Sequence, residues 1–180
     1  KLQYKLNRIL PADIAVQKIV RVRPDAHARF DAVERTYYYY ITTEKNPFRV
    51  EHYYRIPFDV DFGRMNEAAD LLVRKGDFAS FAKTNSDVKT TICDVRRAVW
   101  VDLGDNAWRF EITADRFLRN MVRAVVGTLL DVGRGRMQPS DMENVLRNRN
   151  RCAAGESVFG GALFLHEVKY PANVFDYELP

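Results

Sequence analysis

The segment Arg116–Val132 places the strongest constraint on how this chain can fold, because its side chains are apolar or small on nearly every side. Apolar residues recur there at helical spacing, and Gly133 and Gly135 follow where a helix would end. We therefore predict a helix over Arg116–Val132. A helix that is apolar around most of its circumference has to be buried against other secondary structure.

One stripe along this predicted helix is basic. At about 100° per residue, four polar side chains fall within a sector of roughly 100°: Arg116, Arg119, Asn120 and Arg123. Such a stripe is ordinarily a solvated edge, because charged side chains are mostly exposed. Here the stripe continues into Gly127 and Leu130, which predicts a face that is covered or that lines a cleft.

Arg123 has no acidic neighbour along the predicted helix. The positions three and four residues away hold Arg119, Asn120, Val126 and Gly127, none of which carries a carboxylate. A buried charge that loses its partner destabilises a protein by about 3–5 kcal/mol. We therefore expect Arg123 to meet a carboxylate or a phosphate supplied from elsewhere.

Strand patterns are found on both sides of this helix. Residue composition and turn signals predict strands over Gln17–Arg23, Arg35–Thr43, Glu51–Ile56 and Ala162–Lys169, and a hairpin of Val95–Leu103 with Trp108–Ala114. Two further helices are predicted, one over Asp61–Arg74 and one that begins at the capping box Ser140–Glu143. The first residues, Lys1–Pro11, are interpreted as a basic lead-in. Strands in hairpins with helices between them predict an α+β fold, an antiparallel-dominated sheet with helices packed on one face.

A run of four tyrosines lies in the second predicted strand. Tyr37, Tyr39 and Ile41 share one face of that strand, and Tyr38 and Tyr40 share the other. The simpler interpretation is a strand that packs on both faces. The functional interpretation is that one ring lies in a cleft, where it can hold an unstacked base and its hydroxyl can move a proton. The pattern alone does not choose between them.

Composition narrows the possible classes of protein. The length of 180 residues fits a single domain, and 28 Lys and Arg against 24 Asp and Glu give a net charge of +4, which permits a nucleic-acid partner without requiring one. Two cysteines exclude a disulfide scaffold, and no CxxC pair occurs for a zinc ribbon. No apolar run approaches the length of a membrane span. Free thiols favour a reducing cytosol, and the three histidines lack metal-ligand spacing.

Several motifs together resemble the C-terminal portion of the tRNA pseudouridine synthase A family. The stretches that carry the resemblance are AHARF at 26–30, RTYYYYI at 35–41, DFASF at 77–81, FLRNMVRAVVG at 117–127, VGRG at 132–135 and ALFLHEVKYP at 162–171. Each stretch alone would be a weak match. Their shared order and spacing over almost the whole chain make the resemblance specific, and it implies a pseudouridine synthase-like half with the α+β fold.

The resemblance also implies roles for individual residues. Arg123 would pair with the catalytic aspartate, Tyr37 would pack against the target base and serve in proton transfer from its C5 atom, and Leu163 would form part of the apolar wall of the uracil pocket. Residues implied to contact RNA are His27, Arg29, Lys89, with the loop 85–89, and Arg119. The family isomerises uridines 38–40 of the anticodon stem-loop, acts as a cytoplasmic homodimer, and needs neither cofactor nor metal.

The family's nucleophilic aspartate lies in an upstream segment, G-R-T-D-x-G-V-H-A, which has no match in these 180 residues. We therefore expect this chain to be a fragment of a tRNA pseudouridine synthase that is inactive on its own. One alternative is a stand-alone RNA-binding module without catalysis, which a start codon just upstream of Lys1 would favour. Another is a structural domain that does not bind RNA, which steeply salt-dependent tRNA binding would argue against.

Overall fold

The computed structural model describes residues 1–84 and 89–175 of the chain. These residues form two compact units. The small unit combines Lys1–Ala32 with residues 170–175, and the sheet unit comprises the described residues of Val33–Lys169. In the small unit, a helix α1 (Leu2–Ile9) is followed by an extended segment.

The sheet unit contains a sheet of six strands. The strands are β1 (Glu34–Thr42), β2 (Tyr54–Arg55), β3 (Lys75–Asp77), β4 (Ile92–Gly104), β5 (Ala107–Ala114) and β6 (Leu163–Lys169). Their order is β2-β1-β5-β4-β3, and β6 pairs with β1 on the same side as β2. Only the pair β1–β2 is parallel, so the predicted antiparallel-dominated sheet is confirmed.

The alternation of side chains along β1 gives the sheet one buried face and one more open face. Tyr39 and Ile41 are fully buried, whereas Tyr38 and Tyr40 are only partly buried on the other face. Tyr38 stacks on His166 there, with ring centroids 3.9 Å apart. The tyrosine run therefore packs on both faces of the sheet.

Three helices complete the sheet unit: α2 (Phe62–Asp70), α3 (Met121–Gly133) and α4 (Asp141–Asn148). The Asp61 side chain accepts a hydrogen bond from the backbone N–H of Arg64 and so caps α2. Buried side chains of all three helices join those of the inner sheet face in one hydrophobic core. Together with the mostly antiparallel sheet, this confirms the predicted α+β fold class.

The predicted strand over Gln17–Arg23 is wrong. The basic lead-in Lys1–Pro11 contains α1. The only ladder contact of Gln17–Arg23 in the described residues is an isolated bridge between Val22 and Phe175. The side chain of Gln3, on α1, donates instead to the carbonyl oxygen of Gln17 over 2.7 Å. A side-chain partner of this kind competes with strand pairing for the backbone groups.

Two other element boundaries and one helix cap in the structure differ from those predicted from the sequence. The predicted return strand Glu51–Ile56 shortens to β2, and the predicted helix Asp61–Arg74 ends at Asp70. Ser140 makes no side-chain capping bond at α4, so the predicted capping box is wrong although the helix is present. The Glu143 carboxylate that the box would have used is instead bound by Arg74.

Candidate active-site cleft

A cleft of about 440 Å³ opens in the sheet unit beside the start of α3. Its lining side chains are Lys83, Arg119, Asn120, Arg123 and Leu163. Three of these five are cationic, and within the described part of the chain none of the lining residues is acidic. A concave site with this charge attracts anions.

The start of α3 sets the positions of the cationic groups. Helix α3 begins at Met121, so the predicted helix over Arg116–Val132 is wrong in its first turn. Asn120 precedes the helix in the left-handed conformation, with φ of 70°, and the carbonyl oxygen of Arg119 accepts a hydrogen bond from the backbone N–H of Lys83 over 2.9 Å. Arg119 therefore lies on a turn ahead of the helix. Arg123 lies in the first turn, where the helix dipole adds positive potential.

Arg123 is partly buried and is fixed by a backbone carbonyl. Its Nε donates to the carbonyl oxygen of Val158 over 2.6 Å, and the backbone N–H of Val158 donates in return to the carbonyl oxygen of Arg123 over 3.3 Å. No carboxylate of residues 1–84 or 89–175 forms an ion pair with this guanidinium. The prediction that its anion comes from elsewhere therefore remains a prediction.

Residues 155–160 form a strap that crosses α3 and was not predicted from the sequence. The backbone N–H of Gly155 donates to Thr128 Oγ1 over 2.8 Å. The guanidinium of Arg151 donates to the carbonyl oxygen of Gly155 over 2.9 Å and to Ser157 Oγ over 3.0 Å. The sequence signal for this segment is the pair Gly160-Gly161. This pair predicts a turn, but it does not predict that the segment crosses α3.

Tyr37 lies on the inner face of β1 but not among the residues that line the cleft. It is partly buried, and its ring meets that of Phe117 edge to face at a centroid distance of 5.1 Å. Tyr39 lies two residues along the same face, and its hydroxyl donates to the carbonyl oxygen of Phe159. Burial raises the pKa of Tyr39 well above its ordinary value, and the positive charge of Arg123 acts in the opposite direction.

Leu163 is the cleft residue that the sheet contributes. It is the first residue of β6 and pairs with Tyr39 of β1. It is partly buried and packs against the core, and it is the apolar side chain among the five that line the cleft. The structure thus brings together Arg119, Arg123 and Leu163 of the predicted site residues, and adds Lys83, which sequence reasoning missed.

The remaining residues that were predicted to contact RNA are not among those that line the cleft. His27 and Arg29 are exposed residues of the small unit, where His27 Nδ1 accepts from the backbone N–H of Arg29 over 3.1 Å. Lys89 is exposed in the sheet unit. The rest of the predicted contact loop, residues 85–88, lies outside the described residues.

The described residues contain neither a cluster of metal-ligating side chains nor a membrane-spanning helix. No three His, Cys, Asp or Glu side chains in residues 1–84 and 89–175 are grouped so that they could hold a metal ion. None of the helices in these same ranges combines the length and apolar character required to cross a lipid bilayer.

Comparison with known proteins places the chain in a family. A sequence profile described as tRNA pseudouridine synthase matches residues 68–171. The chain is 54% identical to tRNA pseudouridine synthase A of Bacteroides fragilis over 176 residues, which is 98% of this chain and 70% of that protein. It is 56% identical to the protein of the same name from Parabacteroides distasonis over 177 residues, again 98% of this chain and 70% of the relative. The protein of that name from Bacillus subtilis is 36% identical over 169 residues, covering 93% of this chain and 68% of the relative. The chain therefore belongs to the tRNA pseudouridine synthase family.

Proposed function

We propose that this chain forms the C-terminal, catalytic-cleft half of an enzyme that converts uridines 38–40 of the tRNA anticodon stem-loop to pseudouridine. The observation that carries the proposal is the environment of Arg123. Its guanidinium lines a cationic cleft, is fixed by a carbonyl oxygen at Nε, and has no paired carboxylate within the described residues. An arginine held in this way is suited to bind a carboxylate through its remaining N–H groups.

The proposed reaction is an isomerisation. The bond between N1 of uracil and C1′ of ribose breaks, the base rotates, and a bond from C5 to C1′ forms. The proton leaves C5 and a proton is gained at N1, so atoms and charge balance without a cofactor or a metal. The target nucleotide has to leave its stack to enter the cleft, at a cost of a few kcal/mol.

In this proposal Arg123 orients the nucleophilic aspartate, which the present 180 residues do not supply. Leu163 provides the apolar surface against one side of the uracil ring, which its position in the cleft supports. Tyr37 packs against the base and takes part in removal of the C5 proton. The edge-to-face contact with Phe117 holds the Tyr37 ring in place.

The cationic residues bind the RNA backbone in this proposal. Arg119 in the cleft and Lys89 of the sheet unit contact phosphates of the anticodon arm, and His27 and Arg29 of the small unit contact the same tRNA. Such contacts release counterions, so they make binding depend on salt concentration. The enzyme acts in this proposal as a cytoplasmic homodimer, and its molar mass by sedimentation equilibrium tests the dimer.

A tritium-release assay tests the proposed activity. Transfer RNA labelled at C5 of uridine is incubated with the 180-residue chain and, in parallel, with a chain extended ahead of Lys1 by a segment that carries G-R-T-D. We expect tritium release from the extended chain only. Turnover by the 180-residue chain would contradict its proposed inactivity, and no turnover by either chain would contradict the proposed reaction.

The second candidate function is RNA binding without catalysis. Three cations line the cleft, whereas the motif with the nucleophile is absent from the sequence. Binding of tRNA by a protein whose complete reading frame encodes no G-R-T-D segment would favour this candidate. Failure to bind tRNA at low salt would count against both candidates and in favour of a domain with no RNA partner.

A further inference from the structure

Tyr39 carries a hydroxyl group into the core of the sheet unit, on the strand residue that pairs with the cleft residue Leu163. Its side chain is fully buried, and its hydroxyl donates to the carbonyl oxygen of Phe159 over 2.7 Å. Phenylalanine would fill the same space without burying a polar group that needs a partner. Burial raises the pKa of Tyr39, so this hydroxyl stays protonated and remains a donor at neutral pH.

The acceptor of this bond belongs to the strap, residues 155–160. The start of the strap is tied to α3 through Gly155 and Thr128, as described above. Its other end is tied to β1 through Phe159 and Tyr39. The strap is therefore held at both ends, by one side-chain hydroxyl at each.

Between these two ties, Val158 contacts Arg123. Its carbonyl oxygen receives Arg123 Nε over 2.6 Å. A guanidinium is planar, so a bond that holds Nε also restricts the directions that the two terminal nitrogens can take. Val158 and Phe159 are consecutive, and the orientations of adjacent peptide groups are linked through two backbone dihedrals. The bond from Tyr39 therefore constrains the carbonyl group that aims Arg123.

Gly160 shows how closely the strap approaches Arg123. A Cβ atom at Gly160 would lie 3.7 Å from Arg123 Cζ, Nε and Nη1. A small displacement of the strap would therefore change the contacts of the whole guanidinium, not only those of Nε.

We propose that Tyr39 is a positioning residue of the active site, which holds the strap in place through Phe159 and thereby sets the direction of Arg123. The catalytic part of this inference rests on the proposed function of Arg123. The structural part does not, and can be measured in the 180-residue chain itself.

Hydrogen exchange at Arg123 Nε, followed by ¹⁵N NMR, measures the structural part. We expect Tyr39→Phe to speed exchange of the Arg123 Nε–H by about fivefold, the effect of weakening one hydrogen bond. The matched control is Tyr170→Phe, which removes a hydroxyl that donates to the carbonyl oxygen of Ala28 over 2.7 Å in the small unit. We expect the control to leave Arg123 exchange unchanged. Unchanged exchange in folded Tyr39→Phe would overturn the proposal.

A second measurement covers the case in which Tyr39→Phe does not fold. In the wild-type chain, the Tyr39 hydroxyl proton is expected to exchange slowly enough to be observed, with a nuclear Overhauser contact to the amide proton of Gly160. A hydroxyl proton that exchanges as fast as that of an exposed tyrosine would contradict the proposal without any variant.

Kinetics in the extended chain described above measure the catalytic part. We expect Tyr39→Phe to lower kcat about tenfold while KM for tRNA changes less than about twofold, because positioning of Arg123 acts on the reaction and not on phosphate binding. Equal effects on kcat and KM, or no effect on either, would overturn the catalytic part. If the wild-type extended chain made no pseudouridine but Arg123 exchange responded as expected, the proposed function would fail and the positioning would stand.

Discussion

Gly127 of α3 lies directly beneath the carbonyl group of Glu156: a Cβ atom at Gly127 would be 1.8 Å from that oxygen. Non-bonded atoms do not approach so closely, and the obstacle is backbone, which cannot rotate away as a flexible side chain would. The absence of a side chain at Gly127 is therefore what allows the strap to cross the helix and reach Arg123.

Gly127→Ala is expected to destabilise the sheet unit by about 1–3 kcal/mol, the usual cost of overpacking a well-packed site. Urea unfolding of the two chains measures this difference. Gly76→Ala is the control, because its nearest atom would be Arg74 Cδ at 3.6 Å, an ordinary contact. Equal stability of Gly127→Ala and wild type would mean that the strap does not lie against α3.

Arg123→Met is expected to abolish turnover of the extended chain while tRNA affinity falls less than about threefold, because the proposed partner of Arg123 is the nucleophile and not a phosphate. Arg119→Met provides the contrast, since its proposed partner is the RNA backbone. For that variant we expect affinity to fall more than kcat. Single-turnover kinetics and filter binding separate the two effects, and parallel losses at Arg123 would indicate a phosphate contact instead.

Much of the sheet could be predicted from the sequence because its signals are local. The strand predicted from the β-forming residues around the tyrosine run agrees with β1 to within one residue at each end. The turn predicted between β4 and β5 contains Asp105 and Asn106, both of which have positive φ. The predicted strand over Ala162–Lys169 agrees with β6 to one residue. In each case neighbouring residues along the chain carry the information.

The site could be predicted only in part, because its geometry depends on contacts between distant residues. The lack of a carboxylate near Arg123 on its own helix was visible in the sequence. Its bond to Val158, 35 residues away, was not. The start of α3 depends on the left-handed conformation of Asn120 and on the backbone hydrogen bond between Lys83 and Arg119. The spacing of apolar residues along the sequence predicts neither of these features.

Lys83 lines the cleft with Arg119 and is expected to bind a phosphate of the tRNA. Lys83→Ala should therefore weaken binding and reduce the slope of log K against log salt concentration by about 0.7–0.9, the value for one phosphate contact. Lys75→Ala, at an exposed position on β3, should change neither quantity. Fluorescence anisotropy over a range of KCl concentrations measures both. A weakened affinity with an unchanged slope would show that Lys83 does not contact a phosphate.

Glu111 lies between two arginines on the outer face of the sheet, and its stabilising effect is expected to depend on pH. Its carboxylate accepts from Arg97 Nε over 2.9 Å and from Arg109 Nε over 3.0 Å. Burial alone would raise the pKa of Glu111, but the bonds from the two arginines outweigh it and hold the pKa below the ordinary value near 4.5. The ionised form is favoured by folding, so its contribution is present above about pH 4.5 and is lost as the pH falls further.

Glu111→Gln is accordingly expected to lower the free energy of unfolding by about 1–3 kcal/mol at pH 7, and by much less at pH 3, where the wild-type carboxylate also becomes protonated. Glu51→Gln, at an exposed site, should change stability by less than about 0.5 kcal/mol at both pH values. Urea unfolding of the wild type and of both variants at pH 3 and pH 7 gives the change in the free energy of unfolding for each variant at each pH. A loss at Glu111 that is the same at both pH values would mean that packing, and not the charge held between Arg97 and Arg109, accounts for the effect.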